Sequence, residues 1–158
     1  MAGEFLSWSE ISDRPVYLAG QGRQIGLVDD FYYDPDTQSI TALRVKTHLN
    51  GSRVLLASAI ALIDLAGVTI ANQNMLIDEA NAGHIYQLPR GQQLLGSRVV
   101  SEQGRELGVV GSLLLGVSPP VALRISAIDL RSRGSRRISA HALLSIEEGT
   151  LVVMEQEG

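Results

Sequence analysis

The sequence predicts an all-β protein made of two tandem small β-barrels, each with about five or six short strands and one short helical turn. Three observations carry this. A block of sequence occurs twice in the same order. Hairpin and turn signals punctuate short segments of strand composition. The longest apolar run, Leu107–Val117, is broken by glycine and serine and reads as a buried strand, at about half the length a bilayer crossing needs.

The repeat sets the organisation. Gln21-Gly22-Arg23-Gln24-Ile25-Gly26-Leu27-Val28 returns as Gln103-Gly104-Arg105-Glu106-Leu107-Gly108-Val109-Val110, and Ala42-Leu43-Arg44-Val45 as Ala122-Leu123-Arg124-Ile125. Ser52-Arg53 with the LLASAIALI that follows answers to Ser135-Arg136 with ISAHALLSI, and Gly67 or Gly149 precedes the last apolar triplet of each copy. Residues 1–73 therefore form a first unit and 92–158 a second. Superposition should bring Gly26 onto Gly108 and Leu43 onto Leu123. Residues 74–91 have no counterpart and read as a connector. Its Met75, Leu76, Ile77, Ile85, Tyr86 and Leu88 are too apolar for a free linker, so it is expected to lie against one or both barrels.

In the first copy, strands are expected at Val16–Leu18, Ile25–Tyr33, Ile40–Lys46, Arg53–Leu56 and Val68–Ile70, with a helical turn over Ser58–Ile63. Asp34-Pro35-Asp36-Thr37 is a type I turn by its Asp and Pro positions, and Asn50-Gly51 is a hairpin signal. The second copy repeats this with Arg98–Val100, Leu107–Val117, Val121–Ile128, Arg137–Ser139 and Leu151–Met154, and a helical turn over Ala140–Leu144. Ahead of the first unit, Ser7-x-x-Glu10 fits a capping box, with Trp8 covering a barrel end.

The glycines of AGQGRQIG, residues 19–26, resemble a dinucleotide fingerprint, but three features exclude it. The spacing is one residue too long, Glu102 replaces Gly20 in the second copy, and a strand rather than a helix follows. The reading is structural: Gly22 and Gly104 take positive φ in hairpin turns, while Gly26 and Gly108 mark a bulge or bend inside the next strand. Such a bend would let Ile25 and Val28 both point inward.

Composition bounds the function. The chain has 158 residues, 45% of them hydrophobic and 19% charged, with no cysteine, which excludes disulfides and thiolate chemistry. A net charge of −4 argues mildly against a nucleic-acid role for the whole surface. The start, MAGEFLSWSE, lacks a secretory n-region and h-region, so a cytoplasmic location is expected. Asp29, Asp30, Asp34 and Asp36 look like a carboxylate cluster, yet a calcium loop counted from Asp34 would meet Ser39 and Val45 where it needs Gly and Glu. They read as turn chemistry. His48, His84 and His141 show no metal-pair spacing, and no G-x-S-x-G elbow is present. No catalytic residue, cofactor, metal or small-molecule substrate is expected.

The ordered residues Arg14-Pro15-Val16, Gly22, Ile25-Gly26-Leu27-Val28-Asp29-Asp30, Asp34-Pro35-Asp36 and Ala42-Leu43 resemble the PRC-barrel family. Leu95-Gly96-Ser97-Arg98-Val99, Gly104, Leu107-Gly108-Val109-Val110 and Ala122-Leu123 carry the resemblance into the second copy, which departs from it at Gly111-Ser112 and Pro119-Pro120. The resemblance implies a compact barrel used as a protein-interaction, assembly or regulatory module, without a family-wide active site. The alternative is an RNA- or ribosome-associated factor. Its basic stretch would be Arg131, Arg133, Arg136 and Arg137, a candidate site for nucleic-acid phosphates, an anionic membrane surface or an acidic protein. The plainer reading of that stretch is a solvated hairpin tip. Leu113, Leu114 and Leu115 alternate faces of one strand and are candidate interface residues, pointing to a homodimer rather than a monomer.

Overall fold

A computed structural model describes residues 4–48, 51–118, 122–131 and 135–154. The architecture is all-β. In the first half the elements are β1 (Glu4–Ser7), α1 (Trp8–Ile11), β2 (Pro15–Leu18), β3 (Gln24–Asp34), β4 (Ser39–Lys46), β5 (Ser52–Leu56), β6 (Ile60–Asp64) and β7 (Gly67–Ile70). Then come β8 (Leu76–Asp78) and α2 (Gly91–Leu94). The second half holds β9 (Arg98–Ser101), β10 (Glu106–Ser118), β11 (Ala122–Arg131), β12 (Ser135–Ser139), β13 (Leu143–Glu147) and β14 (Thr150–Val153).

Strand order is the same in both halves: β6-β7-β2-β3-β4-β5 and β13-β14-β9-β10-β11-β12. The parallel pair falls in the same place, β2 with β7 and β9 with β14. Bulges recur too, each leaving one residue unpaired and bending its strand. Ile25 and Leu107 are passed over beside β2 and β9. Asp29 and Gly111 are passed over in the long strands, and Thr41 and Ser126 in their partners. Ala61 and Leu144 are passed over on the outermost strands, where a bulge blunts an exposed edge.

The bulges correct the expected superposition. Gly26 corresponds to Gly108, but because Thr41 corresponds to Ser126, Leu43 falls on Ile128 rather than Leu123. The β10–β11 hairpin is longer: seven residues separate the paired Gly116 and Arg124, where four separate the paired Asp34 and Ser39. The repeated Ala-Leu-Arg therefore sits out of structural register.

Two separate closed barrels are not what forms. Among the described residues no ladder joins β5 to β6 or β12 to β13. At both corners the chain passes through a 3₁₀ turn, Ala57–Ala59 or Ala140–Ala142, straight into the next strand. These turns are shorter than expected, since Ile60 and Leu143 already belong to strands. The halves join instead through β4 and β11 into a 14-stranded sheet with one continuous apolar core. The junction pairs Ser39 with Arg124, which are equivalent residues, so a pseudo-two-fold axis passes between them.

Around that axis the halves exchange arms. β1 lies along β10, with Ser7 opposite Leu114, while Arg90, ahead of α2, bridges Tyr32 on β3. Both arms use one local device: the Ser7 N–H donates to Glu10 Oε1 at 2.9 Å and the Arg90 N–H to Gln93 Oε1 at 2.8 Å, so the capping arrangement read at Ser7 recurs at α2. Trp8 and Gly91 occupy equivalent places. Trp8 packs edge-on against Phe31 at 4.9 Å, and a Cβ on Gly91 would run into the same ring. Phe31, which corresponds to Leu113, fills the room that Gly91 leaves.

Candidate partner-binding groove

β12 runs antiparallel to β11, with Leu130 opposite Arg136, Asp129 opposite Arg137 and Ile128 opposite Ile138. Side chains alternate, so Ile138 enters the core and Arg137 faces outward. An open groove of about 560 Å³ runs along this hairpin, lined by Gly111, Ser112, Asp129, Arg131 and Arg137 from the outward side and by Leu130 and Arg136 from the opposite rows. Gly111 shapes its floor, because a Cβ there would come within 2.7 Å of Arg131 Cγ.

Arg137 grips Asp129 with a two-pronged contact, Nε to Oδ1 at 2.6 Å and Nη2 to Oδ2 at 3.1 Å, and the Ser112 hydroxyl donates to Oδ2 at 3.2 Å. The hydrogen bond from Arg137 holds the Asp129 carboxyl below the usual carboxylate range against the opposing effect of burial. A carboxylate so held is a poor base toward Ser112. Arg131 is exposed and Arg136 half-buried, and neither has an ion-pair or hydrogen-bond partner among the described residues. Arg133 lies outside the described residues. The groove thus offers two uncompensated guanidinium groups and one neutralised pair.

In the first half the corresponding face is covered. β8 pairs with β5, placing Leu76 opposite Leu55, Ile77 opposite Val54 and Asp78 opposite Arg53. Arg53 Nη1 meets Asp78 Oδ1 at 2.8 Å, while Arg44 bridges Asp29 and Glu79, each at 3.0 Å. Beyond β8 the chain folds back so that Ile85 packs on Tyr32, Ala42 and Val54.

The expected aspartate cluster divides under this cover. Asp34 Oδ1 accepts the Asp36 N–H at 2.9 Å, which is turn chemistry, but Asp29 and Asp30 belong to β3. Asp30 is 3% exposed, so its strand does not turn this residue to water, nor does it expose Tyr32, which is fully buried. Asp30 Oδ1 accepts the N–H groups of Phe31 at 2.8 Å and Gln92 at 3.1 Å, and burial pushes its carboxyl above the ordinary range. Burial also pushes the Tyr33 hydroxyl up to about 12.

Leu113 and Leu115 face the shared core, and Leu114 on the other side is half-buried. These leucines therefore form no fully exposed apolar face: two of the three belong to the core and the third is half-buried. Gly22 and Gly104 have φ of 60° and 86°. Gly26 adjoins its bulge with no room for a side chain, since a Cβ would meet Val45 Cγ1 at 2.7 Å, and Gly108 has φ of 148°. With these bends, Leu107 and Val110 are both buried, while in the first half Val28 is buried and Ile25 only partly so.

Sequence reasoning found the arginines and missed the edge of β12 beside them, which has no ladder partner among the described residues. The signal was available: Leu76-Ile77-Asp78-Glu79 is a short aliphatic-acidic strand placed just after the first copy, with arginines at the matching positions of both copies. No helix among the described residues is long and apolar enough to cross a membrane. A search of curated proteins finds no match to the chain. The model of the PRC-barrel domain family matches residues 3–82.

Proposed function

The chain belongs to the PRC-barrel domain family, and on that premise we propose that it is a non-enzymatic protein-interaction and assembly module. In this reading it is built from two tandem PRC-type units, and the outer face of the second is the docking face. The common strand order and the recurring bulges support the second unit. One observation carries the docking face. The same surface in the first unit is covered by the chain's own connector, whereas in the second it is an open groove in which Arg131 and Arg136 have no charge partner among the described residues. Nucleic acid is the second reading, favoured by those two arginines alone; no aromatic side chain lines the groove for base stacking.

The test is affinity capture with the full chain from nuclease-treated host lysate, wild type against Arg131→Glu/Arg136→Glu. Proteins retained by the wild type and lost from the double variant would support the module. Retention that disappears with nuclease treatment would favour the nucleic-acid reading instead.

A further inference from the structure

We infer that the outer edge of β12 receives an extended segment of a partner protein as an added antiparallel strand, with an aliphatic residue opposite Ile138 and an acidic residue opposite Arg136. The inference rests on the module reading above and specifies what the docking face takes. The protein carries its own example of such an occupant. β5, the counterpart of β12, has a neighbour on each side, β4 on one and β8 on the other. β12 has β11 alone among the described residues. An unpaired edge presents a row of N–H and C=O groups and is a template for strand addition.

Side chains then set the choice of strand. β8 places Leu76 beside Leu55 in the core and Asp78 on Arg53. The corresponding residues of β12 are Ile138 and Arg136: Ile138 is already buried and matches Leu55 as the aliphatic position of the edge, while Arg136 lacks, among the described residues, the acidic contact that Asp78 gives Arg53. Between them Val54 is replaced by Arg137, so the middle residue of the incoming strand faces a polar groove instead of a buried seam. Arg131 adds a second unpaired positive charge beside the same edge. A second copy of this chain fits badly, because edge-to-edge pairing of two β12 strands would set the arginine-bearing edges side by side, and like charges directly opposed are destabilising.

The probe is a fluorescein-labelled synthetic peptide with the sequence of residues 72–81, NQNMLIDEAN, titrated into the full chain and read by fluorescence anisotropy. Saturable binding is expected, weakened roughly tenfold by Arg136→Glu through loss of one charge pair and gain of a repulsion. A peptide carrying arginine at the Asp78 position should recover affinity for Arg136→Glu, and that rescue excludes misfolding as the cause of the loss. Proline at the Ile77 position of the peptide should abolish binding, since it removes a ladder donor. Hydrogen exchange should slow at the alternate amides of β12 that point away from β11.

Absence of saturable binding, indifference to Arg136→Glu, or protection confined to other strands would overturn the inference. So would binding of an oligouridylate, in place of the peptide, to the same amides. A failed peptide alongside proteins still captured through Arg131 and Arg136 sinks the strand-addition claim alone. Failure of both experiments sinks the module reading as well.

Discussion

The outer face of β3, β4 and β5 and the outer face of β10, β11 and β12 are one surface built twice, with matching strand order and matching bulges. One is a covered seam and the other an open groove. The backbone does not make the difference. Tyr32, Ala42 and Val54 form an apolar patch where the second half has Leu114, Ala127 and Arg137. Arg44, which takes charge partners from β3 and from Glu79 beyond β8, corresponds to Asp129, which takes its partner from the next strand. A repeated fold thus acquires one inward-looking and one outward-looking copy through a handful of side chains and one inserted segment.

The most severe way to break the comparison is to put the second half's residue into the first. Val54→Arg would place an unpaired charge in the patch beneath Ile85, at a cost of roughly 3–5 kcal/mol. Urea unfolding measures it. A stable variant would mean that the connector rests loosely on β5 and does not seal it.

A smaller effect tests the exchanged arms. Gly91→Val would drive a side chain into the Phe31 ring and is expected to cost about 1–3 kcal/mol. Adding Phe31→Leu, the residue that the second half carries at Leu113, should return part of that loss, because the two changes share one volume. If the two costs simply add, Gly91 and Phe31 are not complementary.

Asp30 gives a third effect, whose sign follows from its environment. Burial raises its carboxyl pKa in the folded state, so wild-type stability declines as pH rises through that raised value. Asp30→Asn keeps an oxygen acceptor for the Phe31 and Gln92 N–H groups and has no such titration. The variant should therefore gain on the wild type between acid and neutral pH, by thermal unfolding in matched buffers. A constant difference across that range would refute the assignment.

Much of the fold was legible because it is local. The repeat, the positive-φ turns at Gly22 and Gly104, the bends at Gly26 and Gly108, and most strands follow from glycine placement and apolar pattern. What escaped depends on contacts distant in sequence. The single sheet hangs on the junction of Ser39 and Ile40 with Arg124 and Leu123, which no periodicity marks. The burial of Asp30 and Tyr32 comes from residues 85–92, which return from the connector and the second arm. The Leu43 to Leu123 alignment was misled by a hairpin three residues longer.

The mildest change is the converse of the first. Arg137→Val gives the second half the first half's residue, but at an exposed position where the guanidinium contributes only its contact with Asp129. Exposed ion pairs contribute little, so the loss should be small and far below the cost of Val54→Arg. Its pH dependence has a definite direction. Arg137 depresses the Asp129 carboxyl, so the pair's contribution is present above the unfolded carboxylate's range and is lost as pH falls through the lower folded value. Wild type and variant should therefore differ slightly at neutral pH and converge in strong acid. A penalty near that of Val54→Arg would mean that this face is sealed too, and the contrast between the two halves would be gone.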